Sequence, residues 1–152
     1  MFQAIDNYIL RNVSLTQAEL DFFHSKFELK TYPKKTILLR QGQICNFEGF
    51  ILSGCTRKYY IDENGFEVIL QFGIENWWVS DIASFAEQKP ARVFIETLEE
   101  TTLLQINHEN KNELFKQLPQ LDRMFLLLLQ KSYAVLEDRF FATIAKSAEA
   151  RY

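Results

Sequence analysis

The chain has 152 residues, 47% hydrophobic and 24% charged, which fits one folded domain and excludes a wholly disordered chain. Twenty acidic against 17 basic residues leave a net charge of -3, so no bulk electrostatic grip on nucleic acid or an anionic membrane is expected. The densest apolar run, residues 124–129, falls far short of the ~18 residues a membrane span needs.

The opening MFQAIDNYILRN is read as helical, and with no basic stretch ahead of its apolar residues it is not expected to be a secretory signal. Thr16 before Gln17-Ala18-Glu19 has the form of a capping box, and Leu20, Phe23 and Phe27 recur at helical spacing until Pro33 ends anything helical. From residue 31 to about 107 the punctuation is that of short strands. Residues 36–39 are followed by a tight turn at Arg40-Gln41-Gly42-Gln43, and residues 47–52 close on Ser53-Gly54. Residues 56–61 and 66–72 flank Asp62-Glu63-Asn64-Gly65, where Asn-Gly predicts a hairpin. Residues 93–97 and 102–106 are expected to form another pair around a turn at Leu98-Glu99-Glu100-Thr101. Gly42, Gly54 and Gly65 stand where turns need positive φ. Strands at this spacing predict a barrel or jelly-roll rather than βαβ units.

The last third returns to helix. Asn107 or His108 starts a short helix through Gln117, which Pro119 interrupts, and a long helix follows from about Leu121. Leu126, Leu129, Tyr133, Leu136 and Phe140 follow a 3-4-3-4 seam, beside a second stripe of Leu121, Phe125, Leu128 and Val135. Two apolar faces on one helix require two surfaces: the β domain and something else. Lys131, Arg139, Lys146 and Arg151 alternate with acids and read as a solvated face.

The residues argue against most chemistries. Only two histidines exist, His24 and His108, both on predicted helices away from the strands, so a cupin-type metal site or a His-dependent nucleophile is not expected. Cys45 and Cys55 are expected to stay reduced and are too few for a four-thiolate site. No P-loop or GxGxxG is present. The Trp77-Trp78 pair is read as core or lid packing rather than a platform for bases. Residues 77–92 form a polar, helix-containing excursion between strand pairs. Its helix start offers N–H groups to an anion, Ser80 and Ser84 offer hydroxyls, Asp81 suits a sugar hydroxyl and Arg92 suits a phosphate.

The series Lys34-Lys35-Thr36-Ile37-Leu38-Leu39-Arg40-Gln41-Gly42-Gln43-Ile44-Cys45, then Phe50-Ile51-Leu52-Ser53-Gly54, then Arg57-Lys58-Tyr59-Tyr60-Ile61-Asp62-Glu63-Asn64-Gly65 resembles the Crp/Fnr family of bacterial regulators. The resemblance is to their cyclic-nucleotide-binding-type sensor domain and covers essentially the whole chain. It implies a mainly β fold with flanking helices: a double-stranded β-helix, or jelly-roll-like β-roll, over residues 1–118, and a long C-terminal dimerisation helix over residues 119–152. It also implies a phosphate-binding cassette at residues 79–92, with ligand-binding positions Ser80, Asp81, Ile82, Ala83, Ser84, Ala91 and Arg92. A homodimer through Leu126, Leu129, Tyr133, Leu136 and Phe140 follows from the same resemblance, in a cytoplasmic protein that is not an enzyme. Cyclic AMP is the candidate effector; no catalytic residue and no metal is expected.

The cassette departs from the family pattern. Members that bind cyclic AMP carry Gly-Glu near its start and Arg-Ser or Arg-Thr at its end; here Ser80-Asp81 and Ala91-Arg92 take those places. Along a strand, an arginine one residue late faces the opposite side. Loss of that charge-assisted contact is expected to weaken phosphate binding on the order of a hundredfold. The purine-touching helix positions become Leu136 and Glu137, and a carboxylate there opposes an anion. Family members continue into a helix-turn-helix, whereas this sequence stops at Ala148-Glu149-Ala150-Arg151-Tyr152 with no Gly or Pro stop signal. DNA contact is therefore expected only through a module absent from these residues. The expected function is effector sensing and dimerisation for a Crp/Fnr-like regulator; the alternative is a ligand-free dimerisation domain whose vestigial pocket is filled by Trp77 and Trp78.

Overall fold

Local capping sets the N-terminal helices. In the computed structural model, which describes the backbone of residues 1–151 and the side chains of residues 1–146, helix α1 spans Gln3–Leu10 and α2 spans Gln17–Ser25. The predicted capping box is formed: Thr16 Oγ1 accepts from the Glu19 N–H at 3.2 Å, and Glu19 Oε1 accepts from the Thr16 N–H at 2.9 Å. Helix α2 stops at Ser25, short of Phe27 where the apolar spacing ends. Lys26 closes it, Phe27 packs its ring 4.8 Å from that of Phe23, and Glu28–Tyr32 becomes strand β1. Four residues of β1 are exposed, so it lacks the inside–outside alternation that announces a strand in sequence.

Seven further strands follow: β2 (Ile37–Leu39), β3 (Glu48–Ser53), β4 (Thr56–Ile61), β5 (Glu67–Gly73), β6 (Trp78–Val79), β7 (Phe94–Thr97) and β8 (Thr101–Ile106). They form two antiparallel four-stranded sheets, in the orders β1-β8-β3-β6 and β2-β7-β4-β5. The Asn-Gly hairpin is as expected: Asp62 Oδ1 accepts from the N–H groups of Asn64 and Phe66, both at 2.9 Å, and Gly65 takes φ +83°.

The expected hairpin of residues 93–97 with 102–106 is not formed. Strand β7 pairs with β2 and β4, while β8 pairs with β1 and β3, so the short link between them crosses from one sheet to the other. It runs beside another crossing, between β3 and β4, where the Leu98 N–H donates to the Cys55 carbonyl at 2.8 Å. Packing on both faces of β8 accounts for the crossing. Leu103 fills the space between the sheets, while Leu104 and Ile106 pack under the helices that join the first sheet.

Two apolar clusters result. Leu39, Cys45, Ile51, Val79, Phe85, Ala91, Val93, Ile95 and Leu103 form the interior of the roll. Ile5, Ile9, Phe23, Phe50, Leu104, Ile106, Leu114, Leu118, Leu121 and Met124 join the first sheet to the helices. Helix α3 (Ile82–Glu87) lies between β6 and β7, α4 spans His108–Gln117 with Asn107 as its N-cap, and α5 spans Leu121–Arg151. Only the first turns of the second α5 stripe pack as predicted: Leu121 is buried and Phe125 and Leu128 are partly so, but Val135 is 56% exposed because the helix runs on past the cluster.

Candidate functional site

The excursion between β6 and β7 is held by its own short polar side chains. Asp81 caps α3, its carboxylate accepting from the Ser84 N–H at 3.1 Å. Ser80 Oγ donates to the Phe47 carbonyl at 2.9 Å, and Ser84 Oγ donates to the Lys89 carbonyl while accepting from the Cys45 N–H at 2.8 Å. Both serines are buried, so their hydroxyls tie the excursion to residues 45–47 and to the segment that follows α3. Gln88 closes α3 in the left-handed region at φ +55°.

The structure thus brings Ser80, Asp81, Ile82, Ala83 and Ser84 into one contiguous turn. Ile82 and Ala83 are exposed there, whereas Ala91 is buried. Ala91 lies against the turn after β2: its N–H donates to the Gln43 carbonyl at 2.7 Å, and its carbonyl accepts from the Gly42 N–H at 2.8 Å. Arg92 is exposed between buried Ala91 and Val93, on the side of the chain opposite to the roll interior. On α5, Leu136 is 63% exposed and Glu137 is partly buried.

The tryptophans separate. Trp78 packs against Phe50, Phe27 and Phe125 on the helical side of the first sheet, and Trp77 is 44% exposed. The idea that Trp78 fills the roll is therefore corrected, because the alternation of β6 sends Val79 inward and Trp78 outward. The histidines lie on helices, as expected: His24 pairs with Asp6 at 2.6 Å and stacks on Phe2, while His108 meets the edge of the Phe85 ring. Among the described residues no three His, Cys, Asp or Glu side chains converge on a common point. Cys55 is held as a thiol, its pKa raised first by burial and then by Glu99 and Glu75.

Sequence reasoning overlooked the charges of β4. Arg57 donates to Glu67 at 2.7 Å and to Glu96 at 2.8 Å, lies over the Tyr59 ring at 4.1 Å, and has its pKa raised chiefly by the Glu67 hydrogen bond. Tyr59 stacks on Phe94, so Arg57 and Tyr59 share the outer face of the second sheet. Lys58 therefore points to the inner face, directly opposite Ile95 of β7, which is fully buried in the roll. The signal was present as a charged residue at two successive strand positions; which one faces inward depends on the fold.

The sequence of residues 29–118 matches the model of the cyclic nucleotide-binding domain, and the chain belongs to that family. Its curated relatives include the cAMP-activated global transcriptional regulators CRP of Salmonella typhimurium and Klebsiella aerogenes, each 24% identical over 119 residues. The chain spans about half the length of these relatives: 78% of it matches 55% of either one. Both are transcription regulators by name. Among solved structures it resembles the Catabolite Activator Protein of Thermus thermophilus, with TM-score 0.69, 22% identity and coverage of 85% of this chain and 61% of that one. It also resembles the sensor domain of the transcriptional regulator DNR from Pseudomonas aeruginosa, with TM-score 0.70, 19% identity and coverage of 91% and 90%. At these identities the structural likeness establishes the fold: a jelly-roll-like β-roll of the Crp/Fnr type with flanking helices and a long C-terminal helix. Among the described residues no helix is long and apolar enough to cross a membrane.

Proposed function

We propose that this chain is the effector-sensing and dimerisation part of a Crp/Fnr-like transcription regulator acting in the cytoplasm. The observation that carries this reading is the bare seam of α5. Leu126, Leu129, Tyr133, Leu136 and Phe140 are 55%, 46%, 66%, 63% and 62% exposed on a helix that docks on the first sheet only through its opening turns, at Leu121, Met124, Phe125 and Leu128. A continuous apolar stripe of this kind marks an interface, and its heptad spacing fits a second copy of the same helix. The division at residues 118 and 119 separates the roll from this helix.

A small effector binds at residues 79–92, with Asp81 offering its free carboxylate oxygen and Ile82 and Ala83 the exposed surface of the turn. Ser80, Ser84 and Ala91 hold its shape, and Arg92 serves the ligand only if it turns inward. Arg139 donates to the Leu70 carbonyl of β5 at 3.2 Å, so the pose of α5 and the second sheet are in contact. An effector that favours one pose changes the spacing of whatever follows the two α5 helices, provided it binds the two poses unequally.

A ligand-free dimerisation domain is the second reading, favoured by the inward hydrogen bonds of Ser80 and Ser84. A thermal-shift titration with cyclic AMP and cyclic GMP, with non-cyclic AMP as control, separates the two. Effector binding predicts a rise with a cyclic nucleotide alone, about 5–10 °C at a hundred times its dissociation constant. No rise at millimolar concentrations leaves the cassette without cyclic nucleotides.

A further inference from the structure

We infer that Lys58 forms the cationic centre of an anion site inside the β-roll, so that the charge which receives an acidic effector comes from β4 rather than from the end of the cassette. The inference rests on the effector-sensing reading above. Three observations support it. Lys58 sits opposite Ile95 on one neighbour and opposite Gln71 on the other, and Ile95 is wholly inside the roll. Its neighbours Arg57 and Tyr59 occupy the outer face, where Glu67 and Glu96 neutralise Arg57 and leave Lys58 untouched. Among the described residues the Lys58 side chain has neither an ion-pair partner nor a hydrogen bond, and the residue stays partly exposed.

An ammonium held in such a place without a partner is costly unless an anion arrives to offset its lost hydration. Burial pushes the Lys58 pKa down, and the Asp81 carboxylate and Cys45 pull it partly back. Those two are the titratable groups that act on it. Gln71 beside it on β5 is neutral, Glu96 on β7 is turned outward to Arg57, and Glu137 is the partly buried acid on α5. One oxygen of Asp81 already caps α3, so that carboxylate is only partly free to offset the Lys58 charge. The ligand this suits is a small molecule bearing a phosphate or a carboxylate, since a lysine acts as a point charge and does not demand the planar fork an arginine matches.

The test uses the chain as it stands and simple anions in place of an effector. Thermal midpoints of the wild type, Lys58→Met and Arg92→Met are followed in sodium phosphate and in sodium acetate, against sodium chloride at equal ionic strength. The wild type and R92M are expected to rise by about 3–5 °C at ten times the dissociation constant of the effective anion, and K58M to lose that rise. General salt effects on stability are common to all three proteins and cancel in the comparison. A rise with phosphate alone or with acetate alone supports the site and names its anion. An equal rise in K58M, or none in the wild type, overturns it. Failure of cyclic nucleotides to bind leaves these outcomes unaffected, so the two readings fail separately.

A second readout is the pH dependence of urea unfolding. The Lys58 pKa is lowered in the folded state, so in the window between the folded value and the ordinary ~10.4 the unfolded chain binds more protons, and stability rises with pH there. K58M is expected to be at least as stable as the wild type at pH 7, with the difference shrinking as pH approaches 10. A clear loss of stability in K58M at pH 7 would make Lys58 a structural partner of Asp81 and contradict the anion site.

Discussion

Gly54→Ala is expected to destabilise the fold by roughly 3–5 kcal/mol, as read by urea unfolding. Gly54 adopts φ +111°, which side chains rarely accept, at the point where the chain leaves the first sheet for the second. A methyl group there would lie 2.4 Å from Thr101 Oγ1 and 2.7 Å from the Glu100 carbonyl oxygen. The hydroxyl cannot simply swing away, because it donates to the Glu99 carbonyl at 2.9 Å, and the carbonyl belongs to the neighbouring crossing. One of these two sheet-to-sheet links has to shift. Gly65→Ala is the control: φ is +83° but nothing lies within 4 Å of the added carbon, so only backbone strain of about 1–2 kcal/mol is expected. Equal losses for the two variants would mean that close approach is not what requires glycine at Gly54.

Phe50→Ala is expected to cost about 3–5 kcal/mol and to lower the thermal midpoint by roughly 8–15 °C. The ring is fully buried where β3 meets the helices, 5.3 Å from Trp78 and 5.7 Å from Tyr8 by centroids, and opposite Leu104 on β8. Nothing nearby is free to collapse into the space, since Trp78 is itself wedged between Phe27 and Phe125. Phe50→Leu keeps most of the volume and is expected to cost less than about 1.5 kcal/mol. Because Phe50 faces the helices, both variants should leave the roll interior and the cassette intact. A loss below about 1 kcal/mol for Phe50→Ala would show that the helices are not packed on the first sheet as described.

Much of this fold was legible where one residue type has one structural use. Thr16 and Glu19 announced a helix start, Asn64-Gly65 a hairpin, Asn107 or His108 the start of a second helix, and Pro119 the break before α5. What stayed hidden were features set at a distance. Strand β1 is an exposed edge with no alternation. The link of residues 98–100 is as short as a hairpin turn, and only the apolar residues on both faces of β8 decide that it crosses to the other sheet. The site was legible as a location but not as chemistry. Ser80 and Ser84 read as ligand donors, yet carbonyls of Phe47 and Lys89 take their hydrogens. Lys58 read as one more strand residue, because which of Arg57 and Lys58 faces inward depends on Glu67 and Glu96, residues far along the chain.

The bare face of α5 is expected to meet a second copy of the chain, and sedimentation velocity at micromolar concentration tests this. The wild type should sediment as a dimer, and the double variant Leu129→Glu with Leu136→Glu as a monomer with the same fold by circular dichroism. Placing two carboxylates in an apolar seam is expected to weaken association by at least about a hundredfold. A wild-type chain that sediments as a monomer, or a double variant that remains a dimer, would contradict the claim.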